Sequence, residues 1–288
     1  MPLVKFAKYH GLGNDYLVLE PGVLAESELF ELAPRICHRN YGVGSDGILL
    51  GPLPSSVAEA GLRIINPDGS EAEKSGNGLR IFARYLWDTG RVGRDPFRIE
   101  TRGGIAEAQV FPEFGKVRVG MGKASFDSVV VGIEGPRREV VGERMLIAGQ
   151  NLCFSGVSVG NPHCVIIGTP VTEAVIRSLG PHVETDSRFA NRTNVQLLKA
   201  IDHDNIEIQI WERGAGYTLA SGSSASAAAC AAKRLGLCGG DVTVHMPGGK
   251  LSVQIDDEYC VTQTGPATKV ASGELTREGL DANGAWSR

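Results

Sequence analysis

Apolar and polar residues alternate along much of the chain, and glycine turns interrupt the alternation. Residues 4–9 alternate and are followed by the turn-rich 10–15 and the apolar 16–19, a pattern that predicts a hairpin-like start. Further strands are predicted at 47–50, 62–66, 97–101, 105–111, 116–121, 154–159, 164–167, 193–199, 207–211, 242–244 and 251–255. No strong period runs from 122 to 149, which leaves room there for a crossover between two halves.

Four segments have the apolar spacing of helices. Residues 27–39 and 171–180 lie between predicted strands, whereas the helices over about 79–88 and up to Leu235 follow two serine–glycine turns. These turns read Ser75-Gly76-Asn77-Gly78 and Ser221-Gly222-Ser223-Ser224. A helix start points unbonded backbone N–H groups at whatever lies in front of it. The sequence therefore predicts two anion sites, one in each half of the chain.

The two halves share one order of elements, in which strands lead to a serine–glycine turn and then to a helix. This repetition predicts an internal duplication and two medium-sized domains, for which 288 residues are sufficient. If the halves face each other, both helix starts converge on one carboxylate. A serine then stands on either side of the carbon next to that carboxylate.

Composition narrows the class of partner. The 29 basic and 33 acidic residues give a net charge of -4 without a long run of one sign, so neither nucleic acid nor an anionic membrane is indicated and a small molecule is favoured. There is no basic-then-apolar leader and no apolar run near the roughly 18 residues that span a bilayer, so a cytoplasmic protein is expected. Six scattered cysteines without a C-x-x-C pair predict buried free thiols rather than a zinc site or a disulfide framework.

The segment Gly42-Val43-Gly44-Ser45-Asp46-Gly47 matches the dinucleotide pattern G-x-G-x-x-G letter for letter. That fingerprint normally follows a strand and opens a helix. Here a predicted helix precedes it and a predicted strand follows it. The context therefore argues against a nicotinamide cofactor.

Several polar residues are candidates for a site, although each also has a plain structural explanation. A lone histidine in a turn, such as His163, is more often structural than catalytic. Glu212 and Arg213 fit a solvated ion pair at a strand end, yet they lie nine residues before the second serine–glycine turn. There they could bring a carboxylate beside Ser221 and a guanidinium to a substrate acid. Asparagines beside glycine or proline turns mostly build those turns, but together they suit an amino-acid ligand: Asn14, Asn66, Asn77, Asn161 and Asn194.

A series of motifs along the whole chain resembles the diaminopimelate epimerase family of pyridoxal-independent amino-acid racemases and epimerases. The motifs occur in family order and are specific as a set: Gly11-Leu-Gly-Asn-Asp-Tyr16, Gly42-Val-Gly-Ser-Asp-Gly47, Asn66-Pro-Asp-Gly-Ser-Glu-Ala72, Ser75-Gly-Asn-Gly78 with Arg80, Gly160-Asn-Pro-His163, Asn194-Val195, Trp211-Glu-Arg-Gly-Ala-Gly216 with Thr218, Ala220-Ser-Gly222 and Gly265-Pro-Ala267.

The resemblance implies an α+β fold of two similar α/β domains, each a curled, mostly antiparallel sheet around a central helix. The expected domains are 1–121 with 265–275, because the last strand returns to the first domain, and 122–264, which leaves 276–288 as a loosely held polar tail. The implied reaction is stereoinversion at the α-carbon of LL-diaminopimelate to the meso form, without metal or cofactor. Family members often pair as homodimers.

The resemblance also implies roles by matched position. Ser75 and Ser221 occupy the two acid/base positions, which His163 and Glu212 flank. The residues implied to bind substrate are Asn14, Asn66, Asn161, Asn194, Glu212 and Arg213, with the backbone amides of Gly76, Asn77, Gly222 and Ser223 on the α-carboxylate.

This chain departs from the family at the reacting positions, because the two catalytic residues of the family are cysteines. A thiol has a reference pKa of about 8.5, whereas an alkyl hydroxyl lies nearer the ~15.7 of water. A gap of about five units or more costs roughly 7 kcal/mol, or around five decades in rate, if nothing compensates. One hypothesis is that His163 and Glu212 activate Ser75 and Ser221.

The other hypothesis is that the activity is lost or changed, including by deliberate replacement of the cysteines to trap a ligand. Two further functions then stay open. One is a racemase, isomerase or dehydratase of another amino or hydroxy acid, and the other is an amino-acid-binding paralogue without turnover.

Overall fold

The structure, a computed structural model, describes residues 4–22 and 24–280 and contains two compact units. Unit 1 extends to Val119 and resumes at Pro266, and unit 2 is Gly120–Gly265. The sequence predicted domains of 1–121 with 265–275 and 122–264, and those boundaries remain a prediction.

The strands and helices follow one another in this chain order. The strands are β1 (Val4–Gly11), β2 (Asn14–Leu19), β3 (Ile48–Leu53), β4 (Ala60–Ile65), β5 (Glu71–Ala72), β6 (Phe97–Thr101), β7 (Gly104–Phe111), β8 (Lys116–Lys123), β9 (Glu143–Ile147), β10 (Gln150–Ser158), β11 (Pro162–Ile167), β12 (Asn194–Ala200), β13 (Asn205–Glu212), β14 (Gly216–Thr218), β15 (Asp241–Met246), β16 (Gly249–Ile255), β17 (Cys260–Pro266) and β18 (Thr268–Leu275). The helices are α1 (Glu26–Ile36), α2 (Gly76–Asp88), α3 (Ser128–Val131), α4 (Glu173–Glu184), α5 (Gly222–Arg234) and α6 (Arg277–Leu280), with a 3-10 turn at Pro112–Phe114.

The strands of unit 1 form a mixed, mostly antiparallel sheet. β1 pairs antiparallel with β18 and with β2, and β2 runs parallel to β3. β3 pairs antiparallel with β4, which is antiparallel to the short β5 and parallel to β6. β6, β7 and β8 continue as an antiparallel meander, as their glycine-separated pattern predicts.

The strands of unit 2 pair in the same order. β9, β10 and β11 are successively antiparallel, and β11 runs parallel to β12. β12 pairs antiparallel with β13, which is antiparallel to the short β14 and parallel to β15. β15, β16 and β17 end the series as antiparallel neighbours. Both units therefore repeat one pattern of antiparallel and parallel pairs.

One helix in each unit is central. Ten of the 13 residues in α2 and ten of the 13 in α5 are buried, so these helices are covered nearly all round. α1 instead buries one face, formed by Leu29, Ala33 and Ile36. This arrangement confirms the predicted α+β class with a sheet around a central helix in each unit.

Alternate residues of a strand face opposite sides of a sheet, and each side has its own helix. In unit 1, Leu17 and Ile48 share a core cluster with the buried face of α1. In unit 2, Cys164 and Val195 share a core cluster with α4 residues. The neighbouring side chains of these strands face the central helix, as the contacts of Tyr16 with Ser75 and of Gln196 with Ser224 show.

The predicted helices are confirmed, with shifted ends. α2 begins at Gly76 rather than at residue 79, so the glycines of its motif form the first turn. α4 continues through Pro181 to Glu184, beyond the predicted end at 180.

The hydrophobic pattern missed α3 and β9, in the stretch without a period, and also the short β5 and β14, the strands β17 and β18, and α6. β18 is exposed along most of its length, and a strand without a buried face has no alternation.

Three smaller expectations have mixed outcomes. Cys37, Cys164, Cys230 and Cys238 are buried, but Cys153 is half-buried and Cys260 is exposed, so the burial prediction was wrong for the last two.

The predicted tail 276–288 includes α6, whose Leu280 packs on the unit 1 core, while 281–288 lie outside the described residues. Within the described residues, no helix combines the length and apolar character needed to span a membrane.

Candidate functional site

Ser75 and Ser221 are the N-cap residues of α2 and α5. Their backbones are nearly the same, with φ -137° and ψ 121° at Ser75 and φ -142° and ψ 126° at Ser221. Ser75 Oγ accepts the N–H of Gly78 at 3.1 Å, and Ser221 Oγ accepts the N–H of Ser224 at 3.4 Å. The two serine–glycine turns thus open the central helices, as the sequence predicts.

The N–H groups of Gly76 and Asn77 in α2, and of Gly222 and Ser223 in α5, belong to the first helical turn. An α-helix has no internal acceptors for these positions, and its dipole is positive at this end. The N-terminus of each central helix can therefore bind an anion, and its residues are the ones predicted to bind the α-carboxylate.

A chain of hydrogen bonds connects the interior of unit 1 with Asn14. Arg80 is fully buried and donates to Asn77 Oδ1 and, at 3.4 Å, to the carbonyl oxygen of Gly76. Asn77 Nδ2 donates to Asn14 Oδ1 at 2.9 Å, and Asn14 Nδ2 donates to Asp46 Oδ2 at 2.8 Å. Burial lowers the pKa of the Arg80 guanidinium to about 9, so it is a cation at neutral pH. Two predicted site residues, Asn14 and Asn77, are in direct contact.

Asp15 and Asp46 form the outer end of this chain. Arg39 bonds to both carboxylates, at 2.8 Å and 2.6 Å, and Lys8 lies 2.9 Å from Asp15. Burial alone would raise the pKa of Asp15, but the hydrogen bonds from Arg39 and Lys8 outweigh it and hold the pKa below its usual value. Two anions and two cations therefore anchor the loop that carries Asn14.

The fingerprint-like segment 42–47 has a structural task in unit 1. Val43 and Gly44 donate their N–H groups to the carbonyl oxygen of Ile36, at 3.0 Å and 3.2 Å, and so close the end of α1. A Cβ on Gly42 would lie 2.1 Å from the carbonyl oxygen of Arg35. The segment follows a helix and precedes a strand, as the sequence analysis expected.

Two further residues of unit 1 are Tyr16, which contacts the N-cap of α2, and Asn66. The Tyr16 hydroxyl is 3.3 Å from Ser75 Oγ. Asn66, a predicted substrate ligand, immediately follows the paired Ile65 and donates through Nδ2 to Ser70 Oγ at 2.9 Å. Sequence reasoning did not single out Tyr16.

His163 is a fully buried base in unit 2. Its Nε2 lies 2.9 Å from Asn161 Oδ1, so Nε2 carries the hydrogen. Its Nδ1 has no hydrogen-bond partner among the described residues. Burial lowers the pKa of His163 to about 3, although a side-chain interaction with Gln196 opposes this effect, so the ring is neutral at physiological pH.

Asn194 links the other predicted residues of unit 2. It is paired with His163 across β11 and β12, and its Nδ2 donates to the carbonyl oxygen of Pro162 at 2.8 Å. Its Oδ1 accepts the N–H of Arg213 at 3.0 Å. Glu212 follows Trp211 on β13, beside Asn194. Unit 2 therefore gathers Asn161, His163, Asn194, Glu212 and Arg213.

Two residues of unit 2 that the sequence analysis missed hold this cluster. Buried Glu184 accepts the indole N–H of Trp211 at 2.7 Å and the N–H of Gly214 at 3.0 Å, which fixes the turn carrying Arg213. Buried Gln196 donates to Ser224 Oγ at 3.0 Å and ties β12 to the first turn of α5. Their sequence contexts, the end of α4 and the middle of β12, contain no motif that would single them out.

The predicted residues thus form two groups. Unit 1 holds Asn14, Asn66, Ser75, Gly76 and Asn77, and unit 2 holds Asn161, His163, Asn194, Glu212, Arg213, Ser221, Gly222 and Ser223. In the part of the chain that the structure describes, no three His, Cys, Asp or Glu side chains are grouped as metal ligands would be. Each group combines an anion-binding helix start with asparagine side chains and a serine hydroxyl.

Known proteins resemble the chain over its length. The family model of diaminopimelate epimerase matches residues 6–127 and 155–270. A diaminopimelate epimerase 2 from Nostoc sp. is 53% identical over 279 residues, which is 96% of each chain. A diaminopimelate epimerase from Desulfitobacterium hafniense is 40% identical over 283 residues, 96% of this chain and 100% of the relative.

Solved structures share the fold at low identity. A hydroxyproline epimerase from Agrobacterium vitis has a TM-score of 0.72 at 14% identity, with 98% of this chain and 93% of that chain covered. A PhzF-family phenazine biosynthesis protein from Bacillus anthracis has a TM-score of 0.69 at 16% identity, with 96% and 100% covered. This likeness supports the two-domain α+β class.

Proposed function

Because the chain belongs to the diaminopimelate epimerase family, we propose that it inverts the α-carbon of LL-diaminopimelate to the meso form without a cofactor. The product would be an amino acid that serves as a precursor of lysine and peptidoglycan. The protein is thus an isomerase of the racemase and epimerase type.

The observation that carries this proposal is the pair of serine N-caps with matching backbone geometry. We assign Ser75 and Ser221 to the two acid/base positions, where one removes the α-proton and the other delivers a proton to the opposite face. The amides of Gly76, Asn77, Gly222 and Ser223 would hold the α-carboxylate, whose charge grows as the α-proton leaves. This assignment requires both helix starts to serve one substrate.

We propose that His163 activates a hydroxyl in unit 2, as a neighbouring base activates a serine nucleophile. Its ring is neutral and fully buried, and because burial disfavours the imidazolium, it would hold the proton only transiently. Glu212 beside Asn194 would supply a second proton acceptor or bind the substrate ammonium group. We propose substrate contacts for Asn14, Asn66, Asn161, Asn194 and Arg213 on the same reasoning.

We also propose an internal duplication, a cytoplasmic location and a homodimer for this chain. The common pairing order of the two sheets supports an internal duplication. A cytoplasmic location and a homodimer are extended to this chain from its family.

The test is α-deuteration of LL-diaminopimelate in deuterated water, followed by NMR and by separation of the epimers. We expect inversion with one solvent deuteron incorporated, and a faster reaction in the Ser75→Cys/Ser221→Cys variant because a thiol is the stronger acid. Thr172→Cys is the matched control, since it places a thiol at the N-cap of α4, a helix that carries none of the proposed site residues.

The remaining outcomes identify the alternatives. Activity in the cysteine variant alone would mean that the binding residues are intact and that the hydroxyls limit the reaction. Binding without deuteration in either protein would point to a ligand-binding paralogue. Turnover of another α-amino or hydroxy acid alone would overturn the substrate assignment.

A further inference from the structure

Tyr16 contacts the proposed reacting atom of unit 1. Its hydroxyl lies 3.3 Å from Ser75 Oγ, and the residue is only 7% exposed. Ser75 Oγ also accepts the N–H of Gly78. A hydroxyl has two acceptor sites and one hydrogen, so with Gly78 and Tyr16 as donors the hydrogen of Ser75 can be directed to a substrate.

The surrounding structure reserves space for the Tyr16 ring. A Cβ on Gly47 would lie 2.7 Å from Cε1 of Tyr16 and 2.7 Å from the carbonyl oxygen of Ile65. No ordinary side chain fits at such distances. Glycine at this position therefore allows the phenol to reach Ser75.

Strand register gives an independent reason to assign chemistry to Tyr16. In unit 1, Leu17 of β2 pairs with Ile48 of parallel β3, and in unit 2, Cys164 of β11 pairs with Val195 of parallel β12. Tyr16 is the residue before Leu17, and His163 is the residue before Cys164. Both follow a Gly-Asn dipeptide by two residues, in Gly13-Asn-Asp-Tyr and Gly160-Asn-Pro-His.

Tyr16 thus occupies in unit 1 the position that His163 occupies in unit 2. Both side chains can donate and accept protons. If Tyr16 only filled space in the core, and His163 only built a turn, there would be no reason for both units to place a proton-transferring side chain at this equivalent position.

We propose that Tyr16 relays protons to and from Ser75, an inference that rests on the proposed function. When Ser75 acts as the acid, its O–H bond breaks and the proton forms a C–H bond with the substrate carbanion. At the same time the Tyr16 O–H bond breaks, and its proton forms a new O–H bond on Ser75. Tyr16 is left as a tyrosinate, which regains a proton from water after product release.

The reverse direction uses the same atoms. Ser75 takes the α-proton while its own proton passes to the tyrosinate. The negative charge therefore resides on a phenolate and never on an alkoxide. A phenol in water ionises near 10 and an alkyl hydroxyl nearer the ~15.7 of water, so a phenolate is the less costly of the two anions.

The test compares Tyr16→Phe with Tyr9→Phe. Tyr9 is the cross-strand neighbour of Tyr16 and donates its hydroxyl to Asp88 at 2.8 Å, so Tyr9→Phe also deletes a buried phenol hydroxyl in the same sheet. We expect Tyr16→Phe to lower kcat for inversion by about 100-fold or more, with KM changed by less than about threefold. Tyr9→Phe should leave kcat within about threefold of the wild type.

Two further readouts separate the relay from a structural role. In Tyr16→Phe, α-hydrogen exchange should persist for the epimer that Ser221 deprotonates, while inversion slows by the factor given above. In the Ser75→Cys background, Tyr16→Phe should cost less than about tenfold, because a thiol ionises without the phenol.

An equal loss in the serine and cysteine backgrounds, or a loss no larger than that of Tyr9→Phe, would overturn the relay and leave the proposed function standing. An inert wild type beside an active Ser75→Cys/Ser221→Cys variant would also overturn the relay, since the phenol would not have activated the serine. Absence of exchange in every variant would overturn the proposed function itself.

Discussion

Side chains with only one hydrogen-bonding role fix the orientation of the asparagines in unit 1. The guanidinium of Arg80 can only donate, and the carboxylate of Asp46 can only accept. The amides of Asn77 and Asn14 lie between them, so each amide has a single orientation that satisfies both neighbours. Asn14 therefore cannot rotate its amide without breaking a buried bond, which prepares it to contact a ligand in one geometry.

A second property of single residues is the neutral charge of buried His163, and it predicts a pH dependence of stability. The unfolded chain binds a proton at this ring below about 6.5, whereas the folded chain does so only near 3. Because the folded-state pKa is lowered, the free energy of unfolding falls as the pH drops from about 6.5 towards 3. At pH 5 the loss from this group is about 2 kcal/mol.

Urea denaturation at pH 7 and pH 5 measures this effect. We expect the decrease in stability between the two pH values to be smaller by about 2 kcal/mol in His163→Gln than in the wild type. His203→Gln, whose side chain is 79% exposed in the wild type, is the control and should keep the full decrease. Equal pH dependence in all three proteins would contradict a neutral buried ring.

At the scale of elements, the central helices depend on their caps both for stability and for the proposed chemistry. Ser75 caps α2 just as Thr172 caps α4, where its side chain accepts the N–H of Val175 at 3.3 Å. Loss of such a cap costs about 1 kcal/mol. Stability alone therefore cannot distinguish the two positions, but activity can.

We expect Ser75→Ala and Thr172→Ala each to lower the free energy of unfolding by about 1 kcal/mol, measured by urea denaturation. Ser75→Ala should abolish inversion and leave α-deuteration only of the epimer that Ser221 deprotonates, whereas Thr172→Ala should change neither. Ser75→Asp should restore the cap but not the activity, because aspartate caps helices well and its negative charge would repel the substrate α-carboxylate at the same helix start. Full activity in Ser75→Ala would remove Ser75 from the proton-transfer role.

The contact of α4 with β13 leaves no space for a side chain at Gly180. A Cβ there would lie 2.5 Å from Cγ of Trp211. Trp211 in turn bonds to Glu184 and precedes Glu212 and Arg213. Displacement of the indole therefore affects both the stability of unit 2 and the position of its predicted ligands.

Gly180→Ala should lower stability by about 1–3 kcal/mol and raise KM, as measured by denaturation and by steady-state inversion. Gly93→Ala is the matched control, because nothing lies within 4 Å of its Cβ and its φ is ordinary. It should change stability by no more than about 0.5 kcal/mol. A similar cost for both variants would mean that α4 shifts freely on β13.

At the scale of the whole molecule, the sequence predicted elements whose signals are local. The start of α2 was recognisable because a capping serine and glycines precede an apolar run, and the same holds for α5. β18 was not, since its exposed residues lack alternation. The resemblance to a family, rather than periodicity, predicted that this strand returns to the first domain. In the structure β18 pairs with β1.

The site was partly predictable for the same reason. Asparagines and serines beside glycines belong to motifs, but Tyr16 meets Ser75 across 59 positions of the chain, a separation that no local pattern reveals. Arg80 resembles an exposed helix residue in sequence and is fully buried in the structure. Register supplied the missing signal, since it aligned Tyr16 with His163.

The pairing of β1 with β18 has a consequence for biosynthesis. The partner of Val4 is Leu275, so β1 has no neighbour on one side until β18 has been translated. Unit 2 is one continuous stretch and is completed earlier. The nascent amino-terminal sheet therefore waits with an open edge, the kind of surface on which chaperones act.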